Sequence, residues 1–176
     1  MAQDSDLDAT AKRKLYLKTG VHAPCLEQVE SIGNASRDPR GWSTTVLYMA
    51  LLPHIELSED AVQQWFALEQ AENLELAFDH NVLLGKARER LKSKTAYTVL
   101  PVHVLASPFT LARLQRAFEL LMDASLEKKS FRRRILNADV LEEAGETPEG
   151  ARGRPAVLYK PKQNPNEFQF LRVFGH

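Results

Sequence analysis

Lys128-Lys129-Ser130-Phe131-Arg132-Arg133-Arg134-Ile135-Leu136 is the stretch that decides how this chain reads. Five cations fall within seven residues, and Phe131 and Ile135 stand about one helical turn apart. On a helix of roughly 100° per residue, Phe131, Ile135 and Leu136 mark a buried side. Lys129, Ser130, Arg133 and Arg134 occupy the opposite arc. Lys128 and Arg132 fall at the margins, where their stems can lie on the core while their heads reach outward. Duplex phosphates reward clustered Lys and Arg, and the major groove admits one helix. An Arg on such a face can pair bidentately with guanine O6 and N7, whereas a Lys or Ser more often holds phosphate.

The flanks fit that reading. Ser107-Pro108-Phe109-Thr110 opens a helix with Thr110 at its N-cap. Leu111, Leu114, Phe118, Leu121 and Met122 form its apolar face. Asp123-Ala124 is a turn, Ser125 is placed to cap the next helix, and that helix ends near Asn137. Val140 to Glu143 and Ala156 to Lys160 read as short strands. Residues 144–155 between them are rich in Gly, Pro and charge and include Ala151-Arg152-Gly153-Arg154-Pro155. The order is helix, turn, basic helix, wing, which is a winged helix-turn-helix. The candidate DNA contacts are Thr110, Lys128, Lys129, Ser130, Arg132, Arg133, Arg134, Arg152, Arg154 and Lys160. A solvated cationic face is the competing interpretation. Three features weigh against it: Glu127 is the one carboxylate beside the cations, the preceding helix has the right length and face, and a second basic element follows. No aromatic stacking platform for RNA is evident, so duplex DNA is the expected partner.

The totals bound the rest. At 176 residues and 44% hydrophobic content the chain suits one medium or two small globular domains. No apolar run approaches the roughly 20 residues that span a bilayer. The acidic Met1-Ala2-Gln3-Asp4-Ser5-Asp6 start is not a secretory signal. Cys25 is alone, which excludes a disulfide framework and points to a reducing cytoplasm; between Pro24 and Leu26 it reads as a packing residue. Net charge is zero, yet residues 1–94 carry 11 Lys+Arg against 14 Asp+Glu, and residues 95–176 carry 12 against 9. Binding must therefore come from a local patch, not a whole-domain field.

Residues 1–75 read as one mixed α/β unit. Leu7 to Lys18 has helical spacing and ends near Gly20, a C′ glycine. Cys25 to Ile32 is a strand, Asn34 to Gly41 a polar loop, and Trp42 to Leu52 a buried strand stopped by Pro53. Ser58 to Gln64 is a turn or short helix, and Val62 to Leu68 another strand. Residues 76–94 hold a connecting helix from about His80 to Ser93 with Asp79 as its N-cap. Residues 95–176 form the second unit. The expected class is α+β.

Residues 13–21 read Arg-Lys-Leu-Tyr-Leu-Lys-Thr-Gly-Val, which resembles the second half of a Nudix box, Arg-Glu-apolar-x-Glu-Glu-x-Gly-apolar. Arg13, Leu15, Gly20 and Val21 match. The three glutamate positions hold Lys14, Leu17 and Lys18. Leu26-Glu27-Gln28-Val29, Ser36 to Trp42, Leu76-Ala77-Phe78-Asp79-His80, Ser130 to Arg134 and Arg152 to Ala156 follow in order. With these motifs, residues 4–175 are similar to the Nudix-related transcriptional regulators (the NrtR family), bacterial repressors of NAD biosynthesis and salvage genes. The resemblance implies a partial Nudix-like α/β sandwich followed by a winged helix. It implies a sensor of ADP-ribose or a related nucleotide, usually without hydrolase activity, and a dimer on a palindromic operator. It also implies an N-terminally shortened sensor, because the chain starts inside the box region.

Hard divalent ions need oxygen ligands, which an ammonium or an isobutyl group cannot supply, so no catalytic role is expected for this helix. Candidate ligand contacts are Arg37 and Arg40 for a diphosphate, Trp42 for adenine stacking, and Phe78, Asp79 and His80. Against these stand a local Arg37–Asp38 salt bridge, core packing of Trp42 and Phe78, and capping by Asp79. His22, His54, His103 and His176 lack metal-ligand spacing, and neither metal nor cofactor is expected. The alternatives to a DNA-binding repressor are a Nudix hydrolase of ADP-ribose-type nucleotide diphosphates and a winged helix that grips a protein.

Overall fold

The computed structural model describes residues 6–56, 63–147, 155–162 and 168–174. The chain divides into two compact units, Met1–Arg90 and Leu91–His176. No helix among the described residues is long and apolar enough to cross a membrane.

In the first unit, helix α1 (Leu7–Thr19) starts where the Asp6 carboxylate accepts the Ala9 N–H at 2.7 Å. It stops at Gly20, whose φ of 70° is a left-handed cap that glycine adopts without Cβ strain. Strands β1 (Cys25–Asn34) and β2 (Ser43–Leu51) form an antiparallel hairpin from Cys25↔Leu51 to Asn34↔Ser43, with an irregularity between Gln28 and Glu30. Cys25 is buried at its start. The Tyr48 hydroxyl donates to Asp8 Oδ1 at 2.6 Å and ties the hairpin to α1. That hydrogen bond, together with burial, pushes the phenol up to about 12.

Helix α3 (His80–Tyr97) runs one turn beyond the expected Ser93. Its first half meets β1 through Lys86–Glu30 at 2.7 Å and Arg90–Glu27 at 3.6 Å, and Arg88 pairs with Glu72. One expectation fails here. Gln63 to Ala67 form no strand, and Leu68–Ala71 make a one-turn helix, α2. Trp65 turns its indole N–H to the Ile55 carbonyl at 2.8 Å and helps line an apolar pocket of about 180 Å³ with Leu15, Val21 and Leu52. Asp79 stands directly before α3, where its carbonyl accepts the Leu83 N–H at 3.1 Å, and its carboxylate is gripped by Arg37. Most of the turn expected from Ser58 lies outside the described residues.

The second unit carries the core. Val99, Val102, Phe109, Leu111, Leu114, Phe118, Met122, Phe131, Ile135, Val140, Leu141, Tyr159 and Phe174 pack into one cluster. A 3₁₀ helix (Leu100–Val104) leads to strand β3 (Phe109–Thr110) and helix α4 (Leu111–Met122). Thr110 Oγ1 accepts the Arg113 N–H at 3.2 Å, the expected N-cap. Asp123, at φ 53°, ends α4 in the left-handed region. Helix α5 (Lys128–Asn137) follows, then the hairpin β4 (Leu141–Glu146) and β5 (Val157–Pro161) in a sheet ordered β3-β5-β4.

The cap of α5 is Glu127, not Ser125. The longer carboxylate accepts the N–H groups of Lys129 at 2.9 Å and Ser130 at 2.6 Å. The α4–α5 turn is clamped from α4: Glu119 Oε1 accepts the Leu126 N–H at 3.0 Å, and Gln115 Nε2 donates to the Leu126 carbonyl at 2.8 Å. Phe118 meets Phe131 edge-to-face with ring centroids 5.3 Å apart, which docks α5 on α4.

Candidate nucleic-acid interface

Phe131 and Ile135 are 1% and 0% exposed, so the apolar stripe of α5 faces the core as its spacing requires. Leu136 does not belong to that stripe. It is 46% exposed, because five positions after Phe131 it stands about 140° from it on the wheel, outside the stripe. Lys128, Lys129, Arg132 and Arg133 are exposed, and none of them forms an ion pair among the described residues. The one nearby carboxylate, Glu127, spends its oxygens on the helix end. Those two backbone N–H donors, aided by the Arg133 charge, hold its pKa below the ordinary carboxylate range. The helix thus presents four cations with their charge open to solvent.

The remaining DNA candidates are placed differently. Ser130 is partly buried and lines a cleft of about 660 Å³ with Arg133, Asn137 and the segment Phe168–Val173. Thr110 and Arg132 share a second cleft of about 390 Å³ with Ala112, Ala156 and Tyr159, where α4, α5 and the start of β5 converge. Lys160 pairs with Glu142 at 3.1 Å across the β4–β5 hairpin, so part of its charge is neutralised. Arg152 and Arg154 lie outside the described residues.

Arg134 does not lie on the open arc: three positions after Phe131 it stands about 60° from it on the wheel, beside the apolar stripe. Its guanidinium lies 3.8 Å from the Phe174 ring centroid and 5.2 Å from that of Phe170. It donates to the Val173 carbonyl at 3.2 Å and to the Arg172 carbonyl. Burial, and then the nearby Arg172 charge, lowers its pKa. The segment 168–174 that receives it was not read from the sequence. Its one signal there is the spacing of Phe168, Phe170 and Phe174, three aromatic residues near the end of the chain.

The nucleotide candidates of the first unit are only partly brought together. Arg37 grips Asp79 bidentately, Nε to Oδ2 at 2.9 Å and Nη2 to Oδ1 at 3.1 Å, and its side chain is 7% exposed. That hydrogen bond, with the Asp79 charge, raises the Arg37 pKa and lowers that of Asp79. The expected Arg37–Asp38 bridge is replaced by Arg40–Asp38 at 2.7 Å, whose hydrogen bonds draw Asp38 down to about 2. Trp42 and Phe78 are not core residues, at 70% and 66% exposed. The Trp42 ring covers Gly33, where a Cβ would stand 3.2 Å from it. Phe78 sits at φ 55° with its ring 6.1 Å from His80. On α1, Lys14, Leu17 and Lys18 are exposed on one face by their i, i+3, i+4 spacing. Among the described residues no group of three or more His, Cys, Asp or Glu could hold a metal ion.

The NrtR DNA-binding winged helix domain matches residues 101–160. Over 182 residues the chain is 47% identical to the ADPR responsive transcriptional repressor NtrR of Acinetobacter baylyi, taking in 100% of this chain and 72% of that protein. The crystal structure of Shewanella oneidensis NrtR matches with a TM-score of 0.89 and 40% identity, over 97% of this chain and 79% of that one. The same protein complexed with a 27mer DNA matches with a TM-score of 0.86, 41% identity and the same coverage. The Acinetobacter relative carries the name of a repressor, not of a hydrolase. With that identity across its whole length, this chain belongs to the NrtR family of Nudix-related transcriptional regulators.

Proposed function

We propose that this chain is a repressor that binds double-stranded operator DNA through its winged helix, and that its Nudix-like unit senses ADP-ribose or a related nucleotide. The observation that carries this is α5: four solvent-open cations on a helix whose opposite face, Phe131 and Ile135, is locked into the core. Lys129 and Arg133 are the readers, Lys128 and Arg132 the phosphate holders, and the Arg152–Arg154 segment a further phosphate contact. The relative that binds a 27mer DNA and the relative named as ADPR-responsive support both halves. The target genes are those of NAD synthesis and salvage, and the operator is bound as a homodimer in the cytoplasm. The effector acts only through different affinities for DNA-competent and DNA-incompetent forms.

Hydrolysis is not part of this reading. Lys14, Leu17 and Lys18 put two ammonium groups and an isobutyl group where ligands for a divalent ion would be needed. The test has two arms. Fluorescence anisotropy with a labelled duplex should show affinity falling steeply with salt, by about 0.9 in log–log slope per phosphate contact. Arg133→Ala should cost about 1–3 kcal/mol and relax base preference. In the second arm, ADP-ribose should shift the DNA isotherm without being consumed. Turnover of ADP-ribose with magnesium or manganese, abolished by chelation, would overturn the inactive-sensor reading.

A further inference from the structure

The sequence places Arg134 among the DNA contacts, yet the structure gives it another employment. Its guanidinium is stacked on Phe174 and donates in a fork to two consecutive carbonyls, of Arg172 and Val173. The segment that supplies those carbonyls is itself anchored. Phe170 donates its N–H to the Tyr97 carbonyl at 2.7 Å, and Phe174 to the Ala96 carbonyl at 2.8 Å. Gln169 bridges to Thr98. Phe174 also packs edge-to-face against Phe118, with centroids 5.2 Å apart, and lies against Phe131 at 5.8 Å. The segment is therefore a strap between the last turn of α3 and the middle of α5. Arg134 is the clasp on the α5 side.

We infer that Arg134 is a positioning residue for DNA reading: it fixes the rotation of α5 through the aromatic strap and leaves the groove contacts to its neighbour Arg133. The physical case is one of geometry. Phe131 and Ile135 hold one side of α5, but an apolar stripe alone lets a short helix roll by a few degrees. A fork onto two backbone carbonyls with a ring beneath fixes the flank of that stripe. Base readout needs that fixity, because bidentate pairing tolerates little rotation. Phosphate attraction does not, because Coulomb forces are indifferent to small rolls. Arg134 should therefore govern specificity and not the salt term. This inference rests on the DNA-binding reading above.

The experiment uses the full chain and the tightest duplex that the wild-type protein selects from a random-sequence library, alongside a scrambled duplex. Three variants are compared: Arg134→Ala, Arg134→Lys and Phe174→Leu, the last keeping the core filled. The selected-to-scrambled affinity ratio should fall about tenfold in all three, the scale of one cation–π contact plus a charge-assisted fork. The salt slope and the affinity for the scrambled duplex should stay as in wild type. Lysine keeps the charge but not the fork, so it should not rescue. A slope lowered by about one in Arg134→Ala, restored in Arg134→Lys, with Phe174→Leu behaving as wild type, would make Arg134 a phosphate contact and overturn the inference alone. If the wild-type protein enriches no duplex, the DNA-binding reading fails and takes this one with it.

Discussion

In the Leu91–His176 unit, Phe109, Phe118 and Phe131 are sealed at 1% exposure or less, and the rings of Phe118, Phe131 and Phe174 key α4, α5 and the strap together. In the Met1–Arg90 unit, Leu17, Trp42 and Phe78 all stand more than 60% exposed, and Cys25, Leu51 and Leu83 are its buried apolar residues among those described. What joins elements there is polar: Tyr48 to Asp8, Lys86 to Glu30, Arg37 to Asp79. The contrast suits the proposed division of labour. A reading head must present cations at fixed angles, and close packing supplies that. A responsive unit does better with ties whose strength depends on charge, because charge is what a nucleotide brings.

The comparison breaks first at the core. Phe118→Ala should cost about 3–5 kcal/mol in urea denaturation, since it removes the ring that touches both Phe131 and Phe174. Leu83→Ala, in the first unit, should cost less, about 2 kcal/mol. Equal penalties would show that the first unit is as tightly packed as the second.

The polar ties sharpen the contrast through pH. Arg37 holds the Asp79 carboxyl below its ordinary value, so its stabilising contribution is complete above the unfolded pKa, about 4, and disappears as pH falls through the lower folded value. The melting-temperature gap between wild type and Asp79→Asn should therefore be a few degrees near neutrality and narrow progressively as pH falls below about 4. A gap that persists in acid would assign the stabilisation to packing and not to charge. At the small end, Leu17→Ala and Lys86→Ala should each move stability by no more than about 0.5 kcal/mol. A larger loss at Leu17 would mean that this exposed side chain is covered in solution, as a second copy of the chain would cover it.

Local chemistry was legible. Thr110 as a cap, Asp123 at the turn, Gly20 as a helix stop and the Phe131–Ile135 stripe all follow from rules that act within a few residues. The misreadings share a cause. The Asp79 carboxylate is gripped by Arg37 from 42 positions away, a partner the sequence did not offer it. Arg134, about 60° from Phe131 on the wheel and so beside the stripe, is taken by a segment 38 residues downstream. Trp65 and Phe66 carried strand propensity, but Trp65 found a carbonyl partner at Ile55. Ser125 lost the cap to Glu127 because a carboxylate reaches two N–H groups where a hydroxyl satisfies one. Periodicity reports angles along one element and says nothing of which distant partner will arrive.

The clamp on the α4–α5 turn has a consequence for how this reading head can diversify. Glu119 and Gln115 hold residue 126 by its peptide N–H and carbonyl, not by its side chain. The bend between the helices is thus inherited from α4 and indifferent to much of what the corner itself spells. Mutational drift at Ser125 should be tolerated freely, while proline at 126 should be purged, since it alone deletes the hydrogen that the clamp grasps.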